Sequence, residues 1–143
     1  MALPVLKLFT SNERVFGLTM EGITHAESLV CADNCNTINW ITGHIACSRN
    51  SMMKLLTLPP VAGETIKAIY ERGAKMMDIT QAHDIEELKQ IITGSNQAII
   101  QGVEKVKDDV LMEKLIFAGF HETYHIGQLG ILRKYIGKDG AIK

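Results

Sequence analysis

Two histidines four residues apart, in the stretch 121–128, are the residues of this sequence best suited to chemistry. The stretch lies in a helix-forming run from about residue 109 to 135, and residues four apart on a helix share one face, with Cβ atoms about 6 Å apart. Both imidazoles can then bind one metal ion, and imidazole is the commonest protein ligand of zinc, nickel and ferrous iron. His121-Glu122-Thr123-Tyr124-His125 also matches the His-Glu-x-x-His pattern of zinc proteases, in which the glutamate is the general base.

A third ligand is needed, because a metal held by two imidazoles alone would be loosely bound. Zinc proteases place that ligand downstream, either as a third histidine in an extended pattern or as a more distant glutamate. Gln128 and Ile131 stand where the extended pattern has glycine and histidine, and neither glutamate nor histidine follows His125. The third ligand is therefore expected upstream, where the remaining histidines are His25, His44 and His83.

Four long amphipathic helices are predicted to position these residues. Apolar side chains recur at helical spacing over about residues 3–22, 37–57, 84–106 and 109–135, and Pro59-Pro60 ends the second helix. Capping boxes are predicted at residues 24–27 and 84–87, and a short helix at 64–70. With no strand-like alternation, the sequence predicts an all-α fold, a four-helix bundle in a single domain over residues 1–143. His44 alone among the upstream histidines lies well inside a long helix.

Small residues on these helices predict close contacts. Gly43, one residue before His44, suits the close approach of another helix. Ser95 and Gly102 lie on the apolar face of the third helix, where they leave room for a neighbour or a pocket.

Composition and charge exclude several classes of partner. The formal net charge is -1 with no basic block, so nothing draws the protein to nucleic acid or to anionic lipid. No run approaches the roughly 20 apolar residues that a membrane span requires, and the N-terminus lacks the pattern of a signal peptide. Three cysteines, an odd number, indicate reduced thiols. We therefore expect a cytoplasmic protein with neither nucleic-acid nor membrane partners.

Two segments resemble a known family. Trp40-Ile41-Thr42-Gly43-His44-Ile45 resembles the W-x-x-x-H-I segment of the DinB-like (damage-inducible) family, and residues 121–128 resemble its H-E-x-Y-H-x-G-Q segment. The resemblance is specific over about 20 residues around each motif and architectural elsewhere. It implies a DinB-like four-helix bundle with a three-histidine site for a divalent metal. Carried over by motif, the ligands are His44, His121 and His125.

The resemblance also implies an activity. Some relatives are metal-dependent thiol transferases that add low-molecular-weight thiols such as bacillithiol or mycothiol to electrophiles, or isomerise maleylpyruvate with a thiol cofactor. For this chain it implies a thiol S-transferase or a related hydrolase, with a small-molecule thiol or electrophile as partner and a homodimer as assembly. Zinc or nickel is the expected metal, with iron or manganese as alternatives. The other hypothesis is a non-catalytic metal-binding stress or structural protein, whose site would be closed by a fourth protein ligand.

The residues beside the histidines admit more than one role. Glu122 lies about 100° around the helix from His121 and can act as a base, support a ligand, or pair with a neighbouring helix; we favour a structural or supporting role. Gln128 can orient a ligand or a bound water. Tyr124 is interpreted as a packing residue and Trp40 as a core residue.

The cysteines and the other histidines are given structural interpretations. Cys31, Cys35 and His25 are an alternative zinc site that we do not favour, because they supply three ligands at irregular spacing. Cys47 is interpreted as a small buried apolar residue close to His44, and His83 as a loop residue.

Overall fold

The computed structural model describes residues 2–74 and 78–142, and this part of the chain is helical without any strand. The predicted all-α fold is therefore confirmed for the described residues. No helix among them has both the length and the apolar composition needed to cross a membrane. The α-helices in this part are α1 Ala2–Met20, α2 His25–Ser28, α3 Ile38–Leu55, α4 Glu64–Tyr70, α5 Ile85–Glu104 and α6 Asp109–Tyr135.

The four long helices pack around a shared interior. Helices α1 and α3 each pack against both α5 and α6, which is the arrangement expected of a four-helix bundle. One apolar cluster fills the end of the interior that contains Phe16, Ile45 and Leu129, and a second fills the end that contains Phe9 and Ile99. The short helix α4 packs on the outside of α3.

Side-chain caps fix where the helices begin. Thr24 forms the predicted capping box with Glu27 at the start of α2, and Thr37 caps α3 by accepting a hydrogen bond from the Trp40 N–H. The second predicted box forms only in part. Asp84 accepts from the N–H of Glu86, whereas the Glu87 carboxylate lies 3.0 Å from His83 Nδ1 and does not complete the box.

The close approach predicted at Gly43 is made by α4. A Cβ atom on Gly43 would overlap the ring of Tyr70, the last residue of α4, so only glycine lets the two helices meet here. The Tyr70 hydroxyl donates to Asn39 Oδ1 at 2.7 Å and accepts from the His83 N–H at 2.8 Å. These contacts tie α4 and the residues before α5 to α3. At Gly102 the neighbour is Leu56.

The buried face of α6 differs from the predicted one. The sequence predicts a stripe of Leu111, Leu115, Ala118, His125, Leu129, Leu132 and Ile136. In the structure, the buried stripe of α6 is rotated by about one residue relative to the predicted stripe. Four residues of the predicted stripe are therefore only partly buried, namely Leu111, Ala118, His125 and Ile136. The prediction was wrong there because α6 carries large apolar residues all around its circumference, which leaves the hydrophobic period ambiguous. The buried residues are Met112, Leu115, Gly119, Glu122, Ile126, Leu129 and Leu132.

Candidate metal centre

Three histidines from two helices meet between α3 and α6. His44 comes from the middle of α3, and His121 and His125 from consecutive turns of α6. One nitrogen from each ring can be chosen so that all three lie within 4.8 Å of one another. Histidine, cysteine, aspartate and glutamate side chains are the usual metal ligands. Among those that the structure describes, these three histidines form the group that is close enough together to hold a metal ion. The structure thus brings together the three residues that the sequence singled out.

Hydrogen bonds fix the orientation of two of these rings. His44 Nδ1 lies 3.0 Å from the backbone oxygen of Tyr70, and His125 Nδ1 lies 2.8 Å from Gln128 Oε1. Because both oxygens can only accept, each Nδ1 carries the proton and each Nε2 keeps a free lone pair. Oxygen acceptors in this position are typical of metal-binding histidines, since they hold the ring and raise its basicity. Gln128 therefore orients the ring of a candidate ligand, which is one of the two roles considered for it from the sequence.

The nitrogens of His121 and His125 are close enough to share an ion. Their Nε2 atoms are 3.1 Å apart, and two lone pairs at that distance repel unless a proton or a cation lies between them. Bonds of about 2.0–2.1 Å to both nitrogens would meet at roughly 100°, which lies between octahedral and tetrahedral angles. The widest of the three nitrogen separations, up to 4.8 Å, must still shorten by about 1.4 Å to reach the separation of about 3.4 Å in a tetrahedral site. The residues present therefore fit a divalent ion after a small inward movement.

Aromatic rings surround the histidines. The Trp40 ring stacks on His44, with centroids 4.9 Å apart and planes 7° apart. Trp40 is half-buried and packs against the apolar core, as the sequence suggests, and its ring also covers a candidate ligand. The exposed Tyr124 ring meets His125 edge-on with centroids 5.3 Å apart, so it packs against a candidate ligand. These contacts restrict the rotamers of His44 and His125.

The surroundings keep two of the histidines neutral. Burial lowers the pKa of His125 to about 4, assisted by the neighbouring His121 and His44 and opposed by the hydrogen bond to Gln128. The pKa of His121 is also lowered, first by burial and then by the nearby His44 and Arg72. Neutral imidazole is the form that binds metals, so at pH 7 both rings are ready to bind without losing a proton.

Solvent reaches the cluster from one side. His44 and His121 line a polar cleft of about 460 Å³, together with Cys47, Lys54 and Arg72. An adjoining cleft of about 590 Å³ shares His121 and Arg72 but has mostly apolar walls, formed by Met52, Leu55, Val110, Phe117 and Ala118. His121 thus lies where a polar and an apolar cleft meet.

Glu122 faces the interior and forms an ion pair with Arg49 of α3. Arg49 Nε and Nη2 each lie 2.9 Å from a different Glu122 oxygen, and both residues are 1% exposed. Arg49 Nη1 also donates to Ser95 Oγ at 2.8 Å, and to Asn96 Oδ1 and the Ile92 oxygen of α5. Glu122 therefore has the predicted structural role and pairs with a neighbouring helix.

Sequence reasoning missed Arg49, although a signal was present. Ile41, Ile45 and Met52 form the apolar stripe of α3, and Arg49 occupies the position between the last two in the same helical register. A cation within a buried stripe predicts a buried acidic partner. Ser95, interpreted as a small residue that leaves space, marks the place on α5 where the guanidinium lies.

The alternative zinc site is not assembled in the described part of the chain. Cys31 and Cys35 are exposed free thiols, and His25 Nδ1 accepts a hydrogen bond from the Ile85 N–H at 3.3 Å. Cys47 is partly buried and lines the polar cleft. Burial, reinforced by the charge of Glu71, raises the pKa of its thiol to about 11, so Cys47 stays protonated at neutral pH.

In comparisons with known proteins, no family model, no curated protein and no solved structure matches the chain.

Proposed function

We propose that this chain is a DinB-like four-helix-bundle protein that binds one divalent metal ion through His44, His121 and His125. We further propose that it uses the ion in thiol transfer to a small electrophile, or in a related hydrolysis, within a reducing cytoplasm. Zinc or nickel fits three neutral nitrogen ligands, with iron or manganese as alternatives. The two sequence motifs and the packing of the four long helices support the family assignment.

The proposal rests on one observation: the histidine cluster is open to a cleft on one side. The ligand group found among the described residues contains three histidines and no fourth protein ligand. His44 and His121 face a cleft that solvent reaches. Three protein ligands and one accessible position are typical of catalytic metal sites, whereas structural sites are closed by four protein ligands. An ion bound here would act as a Lewis acid and lower the pKa of a thiol or water in that accessible position.

The cleft walls indicate the kind of small molecule that fits. Lys54, Lys67 and Arg72 outnumber the single acidic residue, Glu71, around the polar cleft. The adjoining cleft is mostly apolar. A molecule with an anionic group and an apolar body would match both walls, with its reactive atom near His121.

A zinc-protease mechanism has no general base in this site. In that mechanism the glutamate after the first histidine accepts a proton from water beside the metal. Glu122 instead has both carboxylate oxygens bonded to Arg49 and is 1% exposed. We therefore expect no peptide-bond hydrolysis.

A screen of the metal-loaded protein with thiols and electrophiles tests the proposal. We expect metal-dependent consumption of thiol that His125→Ala abolishes and that His83→Ala, outside the cluster, leaves intact. Metal bound tightly without turnover across such a panel would instead favour the non-catalytic role, in which the ion joins α3 to α6. Cleavage of an unstructured protein substrate, lost in Glu122→Gln, would contradict both.

A further inference from the structure

A groove of about 530 Å³ lies between α1, α6 and residues 140–142, which follow α6. We refer to it as the α1–α6 groove. Gly130 belongs to its lining and lies roughly half a turn around α6 from His121 and His125, because each residue of a helix turns by about 100°. The groove is therefore on the other side of α6 from the candidate metal centre.

Most of the groove lining is apolar. Two polar side chains in its middle are bonded within the fold: Asn12 Nδ2 donates to the Gly119 oxygen at 2.9 Å, and Thr123 Oγ1 donates to Asn12 Oδ1 at 2.7 Å. The middle of the groove therefore suits a ligand with an apolar body. The apolar lining residues are Leu8, Val15, Ile126, Ile131, Ala141 and Ile142.

Two glycines of α6 leave open space in the groove. A Cβ atom on Gly127 or Gly130 would meet nothing within 4 Å, whereas one on Gly119 would lie 2.8 Å from Leu8. Glycine inside a helix costs roughly 0.5–1 kcal/mol relative to alanine. Close packing against Leu8 accounts for Gly119, and a ligand that packs on the helix backbone would account for Gly127 and Gly130.

One end of the groove carries a buried hydroxyl and a cation. Arg133 Nη1 donates to the Thr19 backbone oxygen at 2.9 Å, which places Thr19 beside this end of α6 and near Lys134. Thr19 is 2% exposed and lines the groove, and its hydroxyl has no hydrogen-bond partner in the described part of the chain. Lys134 is exposed and is the charged residue among those described in the lining. A hydroxyl donor beside an ammonium group favours an anion at this end.

We propose that the α1–α6 groove binds a free carboxylate with an unbranched apolar chain, such as a medium-chain fatty acid. The carboxylate lies between Thr19 and Lys134, and the chain runs along the groove over Gly130 and Gly127. Residues 8–19 of α1 extend for about 16 Å, which suits a long and narrow molecule. One cation matches the single charge of a free carboxylate, whereas membrane surfaces are bound by clusters of several lysines and arginines. This site does not depend on the proposed metal chemistry.

Calorimetric titration with decanoate, kept below the concentration at which it forms micelles, tests the proposal. We expect one decanoate to bind per chain. Decyltrimethylammonium, which has the same chain and a positive head group, should show no saturable binding. Absence of decanoate binding, or equal binding of both amphiphiles, would overturn the proposal. Attachment to vesicles of anionic lipid without binding of free decanoate would also overturn it, because the ligand would then be a membrane.

Matched variants test the position of the ligand. Gly130→Leu should fill the groove and abolish decanoate binding, whereas Gly94→Leu, at a glycine of α5 with equally open surroundings, should bind like the parent. Lys134→Gln should weaken binding by about tenfold, and Lys7→Gln, at an exposed residue of α1 outside the lining, should leave it unchanged. Circular dichroism shows that each variant is folded. Parent affinity in folded Gly130→Leu would contradict the proposed site.

Thr19→Val separates a role in ligand binding from a role in the fold. Because the hydroxyl has no partner within the described fold, its removal should leave the melting temperature unchanged or raised, and should weaken decanoate binding by about tenfold. A lower melting temperature with unchanged affinity would show that the carboxylate does not lie beside Thr19. His125→Ala should bind decanoate like the parent, and loss of binding in that variant would place the carboxylate at the histidines and overturn the proposal.

Discussion

Hydrogen bonds from the ring nitrogens of His44 and His125 hold the candidate metal site in position. The backbone oxygen of Tyr70 and the side-chain oxygen of Gln128 accept from the two Nδ1–H groups, so both Nε2 atoms are left to bind an ion. The acceptor for His44 comes from α4, outside the four long helices, and the acceptor for His125 from the next turn of α6. Loss of such acceptors usually costs a site 10- to 100-fold in metal affinity.

Arg49 and Glu122 lead to a prediction about stability. Glu122→Gln leaves the buried guanidinium without its counter-charge, so we expect a loss of roughly 3 kcal/mol in the free energy of unfolding. Arg49→Met/Glu122→Leu should cost less, because it removes both charges. Chemical denaturation of the metal-free proteins measures both values.

The exposed pair of Glu86 and Lys89 provides the control for this measurement. Its atoms are 2.7 Å apart at the surface, and Glu86→Gln should change the free energy of unfolding by less than about 1 kcal/mol. Equal losses for Glu86→Gln and Glu122→Gln would contradict the structural role of the buried pair. Metal binding should survive in Glu122→Gln at a temperature where the protein is folded.

The lowered pKa of His125 predicts how the metal-free protein responds to acid. Its pKa is about 4 in the folded chain against 6.5 for an ordinary histidine, so the unfolded chain takes up the proton first. The free energy of unfolding should therefore be unaffected by this group above pH 6.5 and should fall as the pH drops from there toward 4.

Denaturation at pH 7.5 and pH 5 in the presence of a chelator measures this effect. His125→Gln should lose less stability over that interval than the parent. An identical pH dependence in the parent and in His125→Gln would contradict the assignment.

At the scale of elements, the contact between α3 and α4 connects packing to the metal site. Gly43→Ala would push the Tyr70 ring outward and move the carbonyl that accepts from His44. We expect this variant to lose both thermal stability and metal affinity. Gly94→Ala is a matched control, because it also lies in a long helix but a Cβ atom there meets nothing within 4 Å. It should be stabilised by about 0.5–1 kcal/mol. Full metal affinity in Gly43→Ala would show that α4 does not support the site.

Helix ends could be predicted from the sequence because their signals are local. Thr24 and Glu27 cap within four residues, and α4 occupies the predicted residues 64–70. The grouping of the three histidines could also be predicted, because two of them lie one turn apart on a helix and the resemblance around Trp40 and His44 supplied the third. Contacts between helices could not be predicted from the sequence in this way. The pairing of Arg49 with Glu122 and the acceptor on Tyr70 join residues 73 and 26 positions apart, and no local pattern encodes such pairs.

At the scale of the whole molecule, α6 has three separate faces. One side is buried in the bundle, and a flank carries His121 and His125 beside α3. The outward side carries exposed apolar residues and faces solvent; these include Phe117, Phe120, Tyr124 and Ile131. Apolar residues on two of these faces explain why the hydrophobic pattern did not identify the buried one. In our account, folding and metal binding therefore both depend on one helix of 27 residues.

Direct titration of metal into chelator-treated protein tests the central claim. With Zn²⁺ we predict one tightly bound ion per chain for the parent, and severe loss of binding in His44→Ala, His121→Ala and His125→Ala. His25→Ala and His83→Ala, which remove histidines outside the cluster, should still bind one ion. If His121→Ala and His125→Ala bound Zn²⁺ like the parent, the three histidines would not be the metal site.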